Sequence, residues 1–175
     1  ASDRRVIIDP KTGVKYTKIK TLTGKQDIIE YTTGLNLSPN GKFLLWGKLV
    51  IPLNGGEPFD LVDMPAYCGS WSPDGKKIAF QSEGIWIIPG SPRTGRPTDS
   101  AKRLLEGNYW FYQIDWSPDS ERLAFERKDE EIRSDIWSIS VRDGALNQIT
   151  DDPVWEGRPV WSPDGKTIAY NWGDD

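Results

Sequence analysis

The side chains that carry most enzyme chemistry are scarce in this 175-residue chain, which has no His, one Cys (Cys68) and one Met (Met64). Without His there is no Ser-His or Cys-His nucleophile pair and no His-ligated zinc, copper or iron. A lone Cys forms neither an internal disulfide nor a CxxC site. Carboxylate or lysine chemistry, oxygen-ligated cations and binding without chemistry remain. Asp74, Asp119 and Asp164, with Asn40, are candidate calcium ligands by type. They are spread one per sequence repeat, however, and lack the clustered D-x-D-x-D-G pattern, which favours turn capping. Gly69-Ser-Trp-Ser72 fails the G-x-S-x-G spacing of a nucleophile elbow. Asp151 and Asp152 are loop carboxylates with nothing in the sequence to separate their pKa values. We expect no catalytic residue, no metal and no cofactor.

The elements that must position these residues follow from a repeat. One motif occurs four times, as Leu37-Ser-Pro-Asn-Gly41, Trp71-Ser-Pro-Asp-Gly75, Trp116-Ser-Pro-Asp-Ser120 and Trp161-Ser-Pro-Asp-Gly165, with Ser-to-Ser steps of 34, 45 and 45 residues. Each copy precedes a short apolar run: Phe43 to Trp46, Ile78 to Phe80, Leu123 to Phe125 and Ile168 to Tyr170. Pro sets the first corner of a turn, Asp or Asn bonds the local backbone, and Gly takes the left-handed position that closes a hairpin loop. Ser120 replaces that Gly once, so the third turn is either strained or different. The runs are apolar on consecutive residues, as in strands buried on both faces, and the small Ala79, Ala124 and Ala169 let neighbouring sheets approach. A second strand pair follows in each unit: Leu49–Ile51 with Phe59–Leu61, Ile85–Ile88 with Arg103–Leu105, and Ile136–Ile139 with Leu146–Ile149. A four-stranded meander recurring every ~45 residues is the period of a β-propeller blade. The expected fold is therefore all-β, a propeller of four-stranded antiparallel blades.

The W-S-P-D-G-K-x-I-A-F pattern, led by Gln148-Ile-Thr-Asp-Asp-Pro-Val-Trp-Glu-Gly-Arg-Pro-Val-Trp161, resembles the TolB-like β-propeller repeats. The resemblance covers residues 35–173 well and the first 34 weakly. It implies a bacterial envelope scaffold that binds a protein or peptide without catalysis, with periplasmic location implied by resemblance alone. Absence of disulfides is compatible with cytoplasm or periplasm. Such blades also form the substrate-gating propellers of prolyl-oligopeptidase-like serine peptidases, and a carbohydrate-binding propeller is a third reading.

Residues 1–34 read as a half-blade, 35–65, 66–108 and 109–152 as full blades, and 153–175 as a second half-blade. The two halves can share one blade and close a four-bladed ring. Two chains can instead form a C2 eight-bladed homodimer, or the chain is a piece of a longer propeller. The start at Ala1-Ser2 without Met leads us to expect a chain that is trimmed, processed or excised from something longer. The formal charge of −4 argues against a nucleic-acid partner. Seven Lys and Arg against two Asp in residues 1–25 give +5 there, read as a solvated edge or an electrostatic docking strip. No apolar run approaches the length of a membrane span.

With the Ser-Pro-Asp-Gly turns on one face, the blade-to-blade connections lie on the other, near the central channel where propellers usually bind. That places Tyr31, Tyr67, Trp110, Tyr112, Trp155, Glu156 and Arg158 as candidate contacts for a protein, peptide or sugar. Glu156 and Arg158 are expected as a charged rim pair. Trp71, Trp116, Trp161, Trp86 and Trp137 recur at fixed repeat positions and are expected in the inter-blade core. The charged stretch from Glu126 to Asp135 is a candidate partner loop on the connection face. The stretch from Ser91 to Ser100, on the turn face, reads as a flexible loop.

Overall fold

The structure, a computed structural model, describes residues 4–8, 15–19, 35–107, 113–128 and 134–173. The chain divides into two compact units, Ala1–Tyr31 and Thr32–Asp175. In the first, β1 (Arg4–Ile8) and β2 (Lys15–Ile19) form an antiparallel hairpin with Arg4 opposite Ile19 and Ile8 opposite Lys15.

The described residues of the second unit form three four-stranded antiparallel meanders and one two-stranded sheet. The first meander is β3 (Leu35–Leu37), β4 (Phe43–Trp46), β5 (Leu49–Pro52) and β6 (Phe59–Asp60). The second is β7 (Tyr67–Trp71), β8 (Lys77–Gln81), β9 (Gly84–Pro89) and β10 (Lys102–Glu106). The third is β11 (Ile114–Trp116), β12 (Arg122–Lys128), β13 (Ser134–Ser140) and β14 (Leu146–Gln148). β15 (Glu156–Trp161) and β16 (Ile168–Trp172) make the last pair, and β16 has no second partner strand among the described residues. First strands of successive sheets pack side by side, β3 on β7, β7 on β11 and β11 on β15. That is the arrangement of propeller blades with their first strands innermost.

Every predicted turn has the expected geometry. Gly41, Gly75 and Gly165 have φ of 68°, 71° and 69°, and Ser120 adopts the same left-handed conformation at 62°. In each turn the motif Ser hydroxyl donates to the Asp or Asn two residues on: Ser38 to Asn40, Ser72 to Asp74, Ser117 to Asp119 and Ser162 to Asp164, at 2.5–2.8 Å. The same acceptor oxygen takes the backbone N–H of Lys42, Lys76, Glu121 or Lys166. Ser120 departs from glycine usefully, because its Oγ accepts the Asp74 N–H of the preceding blade at 3.2 Å. The Asp119 and Asp164 carboxyls are held below the ordinary value, foremost by their Ser hydroxyls. For Asp74, burial works upward but is outweighed by the Ser72 hydroxyl, the Lys76 amide and nearby lysine charge.

Between blades, the residue before one motif's leading Leu or Trp holds the backbone of the next. Trp71 N–H donates to Asn36 Oδ1 at 2.9 Å, and Trp161 N–H donates to Asp115 Oδ2 at 2.7 Å. At the middle junction Trp116 Nε1–H donates instead to the Ser70 carbonyl at 3.0 Å. Trp71 and Trp116 are buried as expected, whereas Trp86, Trp137 and Trp161 are half-buried. Trp71 stacks on Phe43 of the preceding blade with ring centroids 6.2 Å apart. Ala79 and Ala124 are fully buried, but Ala169, on the last sheet, is exposed. Gly69 marks a close approach of the first two blades, since a Cβ there would sit 2.6 Å from Leu45 Cδ2 and 3.1 Å from the Gly47 carbonyl.

The insertion after β9 differs from the expected flexible loop. Its backbone closes on itself through Ser91 N–H to the Arg96 carbonyl and Gly95 N–H to the Ser91 carbonyl. It also docks on the first blade: Asn40 Nδ2 donates to the Pro92 carbonyl and the Arg96 guanidinium lies 4.1 Å from the Phe59 ring centre. Gly95 lies against the Phe43 ring. A charged side chain that buries its stem on a ring supplies the docking that loop composition alone hides.

Candidate functional site

The entrance of β15, where the third blade passes to the fourth, holds a cavity of about 380 Å³. Asp152, Pro153 and Val154 from the connection, Glu156 from β15, and Tyr170 and Trp172 from β16 line it. Glu156 is only 1% exposed, whereas Trp172 is 74% exposed, so the wall runs from a buried acid to an open indole.

Two hydroxyls hold the buried carboxylate. Ile136 N–H donates to Thr150 Oγ1 at 2.9 Å, which leaves the Thr150 proton for Glu156. The Tyr170 hydroxyl is the second partner. Among the described residues, no hydrogen-bond donor reaches Glu156 Oε2. Burial raises the Glu156 carboxyl above its ordinary value, and Asp152 and Asp135 push the same way against the two hydroxyls. The Tyr170 phenol is raised in turn, foremost by the charge of Glu156, then by burial and by Asp152. The local charge balance is negative.

Of the described residues expected at this face, Glu156 alone lines the cavity. Trp155 is half-buried with its ring against Gly157, where a Cβ would overlap Trp155 Cζ2 and Glu126 Oε2. The rim pair is corrected. In a regular strand, residues 156 and 158 share a face, but the register shifts between Gly157 and Val160, and Arg158 takes φ of 55°. This bulge separates them: Glu156 is buried, while Arg158 is exposed and donates its backbone N–H to Glu126 Oε2 at 3.1 Å. Cys68, at the same distance before Trp71, has φ of 49° in an equivalent bulge. Tyr67 starts β7 and is 48% exposed, away from the cavity lining. Tyr31, Trp110 and Tyr112 lie outside the described residues, as do residues 129–133 of the charged stretch after Glu126. Its flanks extend the hairpin, with Arg127 opposite Asp135 and Lys128 opposite Ser134.

Asp152, Tyr170 and Trp172 were missed because each was read inside its own local motif. The usable signal was comparison between repeats. Counted from the motif Trp, positions 152, 156 and 170 correspond to Val62, Ala66 and Phe80 of the second blade. Ala66 and Phe80 are buried there and Val62 packs against the same core. Three packing positions have thus become acid, acid and phenol around one cavity. No group of three His, Cys, Asp or Glu among the described residues is arranged to hold a metal ion.

No protein-family model matches the chain, and no curated protein does. Solved structures do. A TolB from Agrobacterium tumefaciens is 25% identical, with a TM-score of 0.66 over 80% of this chain and 53% of that one. TolB from Acinetobacter baumannii is 19% identical, with a TM-score of 0.57 over 78% and 34%. An oligogalacturonate lyase in complex with manganese is 15% identical, with a TM-score of 0.63 over 97% and 52%. The chain spans about half, or less, of the length of each of these proteins.

Proposed function

We propose that this chain, a run of TolB-like β-propeller blades, is a non-catalytic scaffold that binds a protein or peptide on its blade-to-blade face. The observation that carries the reading is the cavity at the β15 entrance, with a buried acid at one end and an exposed indole at the other. Such a mixture of an aromatic anchor and a few convergent polar groups suits recognition of a side chain. The chemistry of the chain agrees, because it contains no His to serve as a general base or metal ligand. The envelope location is proposed from the TolB neighbours.

The test compares the two faces. Binding of captured peptides is measured for Tyr67→Ala, Trp155→Ala and Trp172→Ala on the connection face, and for Asn40→Ala and Asp119→Ala on the turn face. The reading requires losses on the first face alone and a complex that added salt weakens. Losses confined to the turn face would overturn it. Retention of oligosaccharides with no peptide binding would favour the carbohydrate reading, in which a Trp→Ala change abolishes sugar affinity at unchanged melting temperature. Ring completion by a second copy is proposed on the edge of β16 that has no partner strand among the described residues. Light scattering decides it, with twice the 19.8 kDa chain mass expected for a homodimer.

A further inference from the structure

We propose that the cavity at the β15 entrance receives an organic cation, the ammonium of a lysine or the guanidinium of an arginine, presented by the bound peptide. This rests on the peptide-binding reading and adds the chemistry that the site selects.

Three independent observations converge. First, Glu156 is 1% exposed and its Oε2 has no donor among the described residues, although Thr150 and Tyr170 serve the carboxyl group. A buried carboxylate left with an open acceptor is costly, and an entering N–H donor of opposite charge removes that cost. Second, the charges that weigh most on Glu156 are those of Asp152 and Asp135, both acidic. An anion or a neutral group therefore gains nothing from this field, while a cation gains from every charge in it. Third, Trp172 leaves its indole 74% exposed on the cavity wall, a surface over which a cation or its alkyl stem can lie.

The comparison of repeats shows that architecture did not require these residues. The second blade fills the same positions with Val62, Ala66 and Phe80, all part of one apolar cluster. Placing Asp152, Glu156 and Tyr170 there gives up apolar packing, and at Glu156 it buries a charge at a cost. The Thr150 and Tyr170 hydroxyls favour the charged carboxylate, so the negative charge is in place before any ligand arrives. A volume of about 380 Å³ is ample for one side-chain head and its stem.

The test uses the whole chain and three acetylated, amidated tripeptides, Gly-Lys-Gly, Gly-Arg-Gly and the neutral Gly-Gln-Gly, titrated calorimetrically at low salt. A preference of about tenfold or more for at least one cationic peptide is expected, the scale of a good charge contact. The tighter of the two names the source. Glu156→Gln keeps the hydroxyl contacts and removes the charge. Asp152→Asn changes an exposed residue and serves as the variant that folds in any case. Each should erase most of the preference, with the melting temperature of Asp152→Asn unchanged. Methylammonium and methylguanidinium chloride are titrated alongside, with the indole N–H resonance of Trp172 as readout. Small cations that shift this resonance only when Glu156 is present, with no peptide binding, would leave the cation site standing and sink the peptide reading. Equal binding of all three peptides would do the reverse, as would a cationic preference that survives both substitutions.

Discussion

Asp115 offers a sharp test of how one blade holds the next. Its Oδ2 accepts the Trp161 backbone N–H at 2.7 Å, and Asn36 Oδ1 accepts the Trp71 N–H in the same way one junction earlier. Asp115→Ala strands a backbone donor between two sheets. An unsatisfied buried donor costs about 1–3 kcal/mol. In a chain of this size ~1 kcal/mol moves the melting temperature by about 2–4 °C, so a fall of roughly 2–12 °C is expected. Asp115→Asn keeps an acceptor of the same reach, as Asn36 demonstrates, and should melt within about 2 °C of the parent at neutral pH. The charge adds a pH signature. Burial raises the Asp115 carboxyl despite the backbone donors of Trp161 and Trp116. The folded state therefore binds this proton more tightly than the unfolded chain, and stability from this group falls as pH rises from about 3.9, the unfolded value, through the raised folded value. Asp115→Asn lacks that loss and should gain on the parent across the same window. Thermal melts by circular dichroism from pH 3.5 to 8 read both effects. Equal damage from Asn and Ala at pH 7, or no damage from Ala, would refute the role of this bond.

Ser120→Ala loses the acceptor for Asp74 N–H yet keeps the left-handed backbone, whereas Ser120→Gly loses the bond and relieves the strain. The Ala variant should therefore melt below the Gly variant, by about 2–4 °C for a strain of ~1 kcal/mol. The lowered carboxyls of Asp74, Asp119 and Asp164 stabilise the fold above the unfolded carboxylate value of about 3.9, and this contribution is lost as pH falls through their folded values. A triple Asp→Asn variant, copying Asn40, should flatten the acid limb of a pH–stability curve, and an unchanged limb would place acid lability elsewhere. Gly69→Ala drives a Cβ into Leu45 and the Gly47 carbonyl, for an expected loss of about 1–3 kcal/mol in denaturant unfolding. A silent Gly69→Ala would mean that the first two blades can separate without cost.

What the sequence disclosed depended on whether a feature repeats. The Ser-Pro-Asp-Gly turns and the apolar runs after them were legible because the same local chemistry recurs four times, and one turn explains all of them. Even Ser120 conformed, since the left-handed site is imposed by the strands it joins. Features between repeats were harder to read. Asn36 and Asp115 are unlike in charge and sit inside strands, so only packing of adjacent first strands reveals that they do the same work. The Ser91–Ser100 stretch looked flexible by composition, yet its ring and backbone contacts are with the first blade, the backbone one with Asn40, 52 residues before Pro92. At the site, their place beside Trp155 suggested Glu156 and Arg158 as a rim pair, and a bulge invisible in the sequence parted them. The cavity residues stand out only where the fourth repeat breaks the pattern of the second. In a repeat protein, positions that obey the pattern report architecture, and function is sought where a buried position stops obeying it. Val62, Ala66 and Phe80 against Asp152, Glu156 and Tyr170 are such a departure, three positions changed toward polarity around a single space.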